Sequence, residues 1–182
     1  MRSATDPAVA RAVVAGCPPG PHRDRILAII DSRSDVLDRT CRPGHLTGSA
    51  LVLDAAGERT CLLRHRKLGR WLQPGGHADG DANMAAVALR EATEETGIWG
   101  LRVDPVPVDL DVHEVDPPAE DAHLHLDVRF LVVAPPDSEP VGNHESTALG
   151  WFTPTEMAAL EPDVGMVRLL AAARERYTSW GT

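Results

Sequence analysis

Residues 75–98 read GGHADGDANMAAVALREATEETGI, a pair of glycines followed by a run of residues that favour helix. Asp81 can cap a helix here, because an aspartate side chain accepts hydrogen bonds from the first free backbone N–H groups. Gly97 marks the end, since glycine readily adopts the left-handed conformation that closes a helix. The stretch therefore predicts a glycine-rich loop leading into a helix that ends at about Thr96.

Three acidic residues crowd one face of this predicted helix. Glu91, Glu94 and Glu95 lie at positions i, i+3 and i+4, and like charges at this spacing cost a helix about 0.2–0.5 kcal/mol per pair. Arg90 is the only cation within the predicted helix. A divalent cation would relieve the repulsion, because Mg²⁺ binds carboxylate oxygens and is often shared with substrate phosphates. These residues alone leave two interpretations open, a metal site or a solvated acidic face.

The spacing of the glycines, arginine and glutamates resembles the Nudix box. That pattern is Gly, five residues, Glu, seven residues, then Arg-Glu-apolar-x-Glu-Glu-x-Gly-apolar. The matching positions are Gly76, Arg90, Glu91, Glu94, Glu95, Gly97 and Ile98. Ala82 stands where the pattern has its first Glu, and Ala92 is a small residue at an apolar position. A match of this length at fixed spacing strongly indicates the family.

The resemblance implies an α/β fold, an α/β/α sandwich around a mixed sheet, and hydrolysis of a diphosphate linked to another moiety. It also implies a bound Mg²⁺ or Mn²⁺ ion. The implied metal ligands are Glu91, Glu94, Glu95 and the carbonyl of Gly75. Arg90 would orient these carboxylates through an ion pair. The alternative is an exposed i,i+4 salt bridge, worth about a few tenths of a kcal/mol.

The general base is left open by the resemblance. In the family this role belongs to the box glutamate, here Glu91, or to an acid on a later loop. Glu145 is the second candidate, since residues 143–152 resemble that loop, but an exposed loop acid would look the same. The missing glutamate at Ala82 also leaves open a catalytically weak Nudix domain that binds a phosphorylated ligand.

A basic cluster directly precedes the glycine loop. Its members are Arg64, Arg66, Lys67 and Arg70. Such a cluster can hold substrate phosphates by charge-assisted hydrogen bonds, or it can be the solvated end of a hairpin. Gly76 and His77 are expected to contact substrate as well, because a glycine lets the backbone approach a phosphate closely.

Polar and apolar residues alternate along residues 123–130. A strand would place His123, His125, Asp127 and Arg129 on one face. We expect His125 and Arg129 to contact substrate, while a metal site and a hydrogen-bonded sheet face remain open for the group. Neighbours on one strand face are about 6.6–6.8 Å apart, so the binding of one metal ion by three of them would be strained.

The rest of the chain predicts a mixed α/β domain with an extension. Residues 1–43 are interpreted as an N-terminal extension, a linker plus a helix, and residues 44–182 as the Nudix hydrolase domain. Residues 47–54 and 60–65 predict a hairpin, because strand-forming runs flank a turn that contains glycine. Residues 66–80 are expected to form an irregular loop.

Composition excludes several kinds of partner. The chain has 182 residues, with 18 Lys and Arg against 27 Asp and Glu, for a net charge of -9. This balance argues against nucleic-acid or anionic-membrane partners that need a basic surface, and no apolar run reaches the roughly 18 residues of a membrane span. Three cysteines without a CxxC pair indicate free thiols and a cytoplasmic protein. We expect a small-molecule diphosphate substrate, and the resemblance leaves a homodimer open.

Overall fold

The computed structural model of the protein describes residues 1–117, 121–142 and 146–180. Glu145 lies outside these ranges. Helices α1 to α5 span Pro7–Ala15, Pro21–Ser32, Met84–Thr96, Pro154–Ala159 and Val164–Ser179. Strands β1 to β8 span Gly44–Leu53, Thr60–His65, Trp71–Leu72, Gly75–His77, Arg102–Val103, Asp109–Val115, His123–Val133 and Ser146–Phe152.

The eight strands form one mixed sheet centred on β1. β1 and β7 run parallel in continuous register from Gly44 opposite Leu124 to Leu53 opposite Val133. The other pairs are antiparallel: β1 with β2 and β4, β2 with β3 and β8, and β7 with β5 and β6. The predicted mixed sheet is confirmed, and β4 lies beside β1 directly before α3.

Helices cover both faces of this sheet. On one face, α1, α2 and α3 pack over Leu46, Ala50 and other alternate residues of β1 and β7. On the other face, α4 and α5 pack over Leu51, Leu53 and their neighbours. Successive strand residues point to opposite faces, so each strand supplies both cores. The α/β/α sandwich expected from the resemblance is confirmed.

The first 17 residues are more structured than a linker. Asp6 caps α1 by accepting a hydrogen bond from Ala8 N at 2.9 Å, and Ala10 and Val14 have no exposed surface. Both belong to the core cluster that contains α3. The expected helical extension is confirmed by α1 and α2, and residues 18–20 lie between these two helices. The division of the chain at residue 43 stays a proposal.

The start of α3 also differs from the prediction. Asn83 caps the helix, accepting a hydrogen bond from Ala86 N at 3.2 Å. The Asp81 carboxylate instead accepts hydrogen bonds from the backbone N–H groups of Ala4 and Asn83. Asp81 therefore ties the N-terminal segment to the helix. The predicted end is confirmed, since Gly97 has a φ of 66° and closes α3.

The hairpin of β1 and β2 is confirmed, with Val52 opposite Cys61. The predicted loop 66–80 is interrupted by β3 and β4, which are too short and too glycine-rich to show an apolar alternation in sequence. Within the ranges that the structure describes, no helix has the length and apolarity needed to cross a bilayer.

Candidate active site

Glu95 is the most enclosed acid of α3. It is 6% exposed, and its Oε2 accepts a hydrogen bond from Gly75 N at 2.9 Å. The helix comes this close because Gly48 of β1 has no side chain, and a Cβ there would lie 3.0 Å from Met84 O and from Val87 Cγ1. The sheet thus brings the C-terminal half of α3 against the backbone of β4.

Glu91 lies against the next residue of β4. A Cβ at Gly76 would be 2.5 Å from Cδ and Oε2 of Glu91, so only glycine leaves room for this carboxylate. Arg90 donates to Glu91 Oε1 at 2.7 Å and to His77 O at 2.9 Å. It therefore joins α3 to β4 and fixes Glu91, which supports the orienting ion pair over an exposed salt bridge.

The three glutamates differ in exposure. Glu95 is buried, Glu91 is half-buried and Glu94 is exposed, so the group opens from the sheet toward solvent. Carboxylate oxygens with a nearby glycine backbone form a hard donor set that suits Mg²⁺ or Mn²⁺. The space that Gly76 leaves beside Glu91 is consistent with such a site. The donor chemistry of the predicted ligands suits the ion, and their joint coordination of one ion stays a prediction.

Ala82, at the position of the missing glutamate, is fully buried in the core that contains α3. A carboxylate at this position would be removed from water, which is costly without a partner. The departure from the box therefore falls at a packing position of this chain.

The basic cluster lies at the end of β2 and in the turn that follows. Arg70 pairs with Asp163, the N-cap of α5, at 2.8 Å. Arg66 donates to Ser146 O at 3.1 Å, and the Arg64 Nε donates to Gly69 O at 3.4 Å. Lys67 is exposed. Contact of these residues with a substrate stays a prediction.

The structure corrects the expectation for Arg129. Its side chain is 6% exposed, and its guanidinium donates to Asp127 at 2.7 Å, Asp111 at 3.0 Å and Asp109 at 3.2 Å. Arg168 of α5 joins the same network through Asp109 and Asp111. Because three carboxylates neutralise it inside the protein, we leave Arg129 out of the substrate site.

His77 and His125 belong to a histidine cluster on the face of the sheet that carries Arg129. Its imidazole rings come from β1, β4, β6 and β7, and the centroids of neighbouring rings are 4.9 to 5.5 Å apart. The members are His45, His77, His113, His123 and His125. Sequence reasoning missed His45 as a member because only the parallel register of β1 and β7 places it opposite His125.

The two inner histidines of this cluster are held neutral. Burial is the main cause that lowers the pKa of His45 to about 4, and the neighbouring His77 and His123 lower it further. Burial also lowers the pKa of His125 to about 2, with smaller effects from His113 and His45. At neutral pH both rings therefore offer a nitrogen lone pair rather than a positive charge.

Asp127 is not available to complete a metal site with His123 and His125. Its carboxylate accepts hydrogen bonds from Thr47 Oγ1 at 3.0 Å and Ser49 Oγ at 2.9 Å, besides the pair with Arg129. The three-residue set considered along β7 is therefore disfavoured.

Residues 44–173 match the family described as the NUDIX domain, and the chain belongs to this family. Its members are pyrophosphohydrolases that act on derivatives of nucleotide diphosphates, and the chain is an enzyme of this class.

Individual relatives agree with this assignment. A MutT-like protein of Streptomyces ambofaciens is 27% identical over 135 residues, covering 74% of this chain and 81% of that protein. An Ap4A hydrolase of C. elegans, solved as a binary complex, superposes with a TM-score of 0.60 at 16% identity, covering 74% of this chain and 98% of that one. RenU, a Nudix hydrolase of M. smegmatis, gives 0.55 at 20% identity, covering 76% and 88%. The two solved structures share the fold.

Proposed function

We propose that this protein is a divalent-metal-dependent hydrolase that cleaves the diphosphate linkage of a nucleoside diphosphate derivative. Water would attack one phosphorus atom and displace the other phosphate. The observation that carries the proposal is the position of Glu91 and Glu95, each held against a glycine of β4, with Glu94 beside them at the surface.

The ion that fits this donor set is Mg²⁺ or Mn²⁺. Glu91, Glu94, Glu95 and the Gly75 carbonyl would hold it, and when bound it would neutralise the negative charge that develops on the phosphate oxygens. The family uses divalent metals in general, and the choice between these two ions is part of the proposal.

The protein's own groups keep the acidic site ordered. The Gly75 N–H holds one oxygen of Glu95, and Arg90 holds Glu91 while it binds the backbone of β4. Groups fixed before substrate arrives pay no reorganisation cost during the reaction. We assign Glu91, which Arg90 holds beside β4, to metal binding and propose Glu145 as the general base.

The substrate phosphates would contact the exposed basic cluster and the backbone at Gly76. The imidazoles of His77 and His125 lie on the opposite side of β4 from Glu91, which disfavours the substrate contact predicted for them. Arg64, Arg66, Lys67 and Arg70 give the cluster four positive charges in an acidic protein. The leaving group is open among nucleoside triphosphates, nucleotide sugars, dinucleoside polyphosphates and ADP-ribose. Likeness to a C. elegans Ap4A hydrolase is a reason to include dinucleoside polyphosphates.

We also propose a cytoplasmic location and a small molecule as the partner. All three cysteines, Cys17, Cys41 and Cys61, are free thiols, as a reducing compartment would keep them. Assembly as a homodimer stays open to a measurement of mass in solution.

The proposal is tested by phosphate or nucleotide release from a panel of these four substrate classes, with Mg²⁺ or Mn²⁺. Glu95→Gln should lower turnover of the best substrate at least about 10²-fold, the loss typical of one strong transition-state contact. Glu175→Gln, the same change at an exposed position of α5, is the matched control.

Two outcomes would contradict the proposal. Turnover that persists in Glu95→Gln would remove this glutamate from the mechanism. If no substrate of the panel turns over but one of them raises the melting temperature, the protein binds a phosphorylated ligand without hydrolysing it.

A further inference from the structure

Three imidazoles of the histidine cluster meet at one point above the sheet. His45, His77 and His125 each offer one ring nitrogen, and these three atoms lie within 4.8 Å of one another. They come from three adjacent strands, since β1 pairs with β4 on one side and with β7 on the other. Their separation in sequence hides this grouping, and the sheet register creates it.

His45 is the strongest indication that the group binds something. It is 1% exposed, and neither ring nitrogen has a hydrogen-bond partner among the residues that the structure describes. The backbone of Cys41 has a small effect on its pKa but falls short of hydrogen-bond geometry. A buried polar atom without a partner destabilises the folded state. A ligand at the meeting point of the rings would offset that cost.

The donor set defines the chemistry of such a ligand. Neutral imidazole is a preferred ligand of Zn²⁺ and of other late first-row metals, whereas Mg²⁺ and Mn²⁺ prefer oxygen. Tetrahedral Zn²⁺ with Zn–N distances of about 2.0–2.1 Å puts its ligand atoms roughly 3.3 Å apart. The three rings reach this spacing by closing through about 1.5 Å or less, a shift within the range of side-chain rotation.

The outer members of the cluster frame the same point. His113 Nδ1 lies 3.0 Å from Asp111 Oδ2, and His123 Nδ1 lies 2.7 Å from Asp121 O. Such acceptors orient imidazole rings around metal sites. Both rings have centroids 5.5 Å from that of His125, so they flank one of the three ligands.

We propose that His45, His77 and His125 form a second metal site, for one Zn²⁺-like transition-metal ion, separate from the glutamates. Consecutive residues of β4 point to opposite sides of the sheet. Gly76 faces Glu91, and His77 faces the ring of His45 with centroids 5.0 Å apart. The two sites therefore share β4, and they differ in the side of the strand and in donor atoms.

Co²⁺ titration of the full chain, stripped of metal with a chelator, tests the proposal. Tetrahedral Co²⁺ with nitrogen ligands absorbs visible light strongly, and octahedral Co²⁺ with oxygen ligands absorbs weakly. We expect one tetrahedral Co²⁺ per chain, displaced by Zn²⁺ and retained against excess Mg²⁺. His77→Ala and His125→Gln should each weaken binding by at least about 100-fold, more than the 10–100-fold typical of outer partners.

The controls separate this site from the glutamates. His65→Ala removes a histidine outside the cluster and should leave the Co²⁺ spectrum unchanged, as should Glu95→Gln. The two ligand variants change half-buried rings and are therefore chosen over His45→Ala, whose ring is buried. Circular dichroism checks that each variant is folded. The proposal is overturned if wild type shows no tetrahedral spectrum, or if Glu95→Gln abolishes the spectrum and the histidine variants retain it.

Discussion

The two sides of β4 carry polar groups of opposite character. On the side of Gly76, the carboxylates of α3 gather in a space that opens to solvent at Glu94. On the side of His77, neutral imidazoles lie beside aspartates that are paired with Arg129 and Arg168. The Gly76 side concentrates negative charge, whereas on the His77 side the aspartates are paired with arginines.

This difference separates the polar residues that are candidates for catalysis from those that stabilise the fold. A network in which aspartates and arginines neutralise one another is stable without a ligand, so its members are poor candidates for substrate contact. Crowded carboxylates on one helix face gain most when a cation binds. We therefore place hydrolysis on the Gly76 side, although the sequence also left a metal site or substrate contacts open for the polar residues of β7.

The largest expected effect tests whether the balanced side is structural. Arg129→Ala should lower the free energy of unfolding by about 3–5 kcal/mol, because it leaves buried aspartates without their partner. Urea denaturation measures the change. Arg11→Ala, which breaks the exposed pair with Asp31, is the matched control and should have little effect. A cost for Arg129→Ala as small as that of the control would contradict a structural role.

Gly76→Ala tests whether the position of the Glu91 carboxylate on the Gly76 side of β4 matters for turnover. The added methyl group would meet the Glu91 carboxylate at 2.5 Å, so the carboxylate must move. A displacement of about 1 Å in a catalytic group can cost about 10²-fold in rate, and we expect a loss of this size in kcat with Mg²⁺. Gly20→Ala, where a Cβ meets no described residue within 4 Å, should keep wild-type turnover. Full activity in Gly76→Ala would show that Glu91 need not lie where it does.

The smallest expected effect concerns acid stability of the balanced side. Burial raises the pKa of Asp111, but opposing contacts outweigh it and hold the pKa well below its usual value. Its contacts are His22 of α2, His113 of β6, Arg129 of β7 and Arg168 of α5. A carboxylate with a lowered folded-state pKa stabilises the protein above its unfolded pKa of about 3.9 and loses that contribution in acid.

Arg168→Gln tests this linkage. It should destabilise the protein at pH 7, and the difference from wild type should shrink only as the pH falls through the lowered folded-state pKa of Asp111, well below about 3.9. Urea unfolding at pH 7 and at about pH 2 measures both values. Arg174→Gln, a change on the same helix that leaves Asp111 untouched, should show no such convergence. An equal cost of Arg168→Gln at both pH values would exclude the charge of Asp111 as its cause.

Local sequence was sufficient to predict the acidic side. The helix spacing of Glu91, Glu94 and Glu95 and the C-cap at Gly97 depend on residues within a few turns. The sandwich and the mixed sheet followed from the family resemblance. Here the chain's own pattern and the resemblance led to the same residues.

The balanced side could not be predicted in the same way. Arg129 finds its partners on β6 and α5, and His45 meets His125 only through the parallel pairing of strands 80 residues apart. Sequence shows that these side chains share a face of a strand, but not which side chains lie opposite. Similarly, α1 was not predicted as a helix, because alanine-rich helices bury small residues that carry little apolar signal.

Direct Mn²⁺ binding tests the central claim, that the carboxylates on the Gly76 side hold the catalytic ion. The free Mn²⁺ signal in electron paramagnetic resonance would be followed as metal-free protein is titrated, for wild type, Glu95→Gln and Glu175→Gln. We predict that Glu95→Gln weakens Mn²⁺ binding by at least about 100-fold, beyond the 10–100-fold typical of outer partners, and that Glu175→Gln binds like wild type. Mn²⁺ binding of equal strength in Glu95→Gln and wild type would show that Glu95 does not hold the ion.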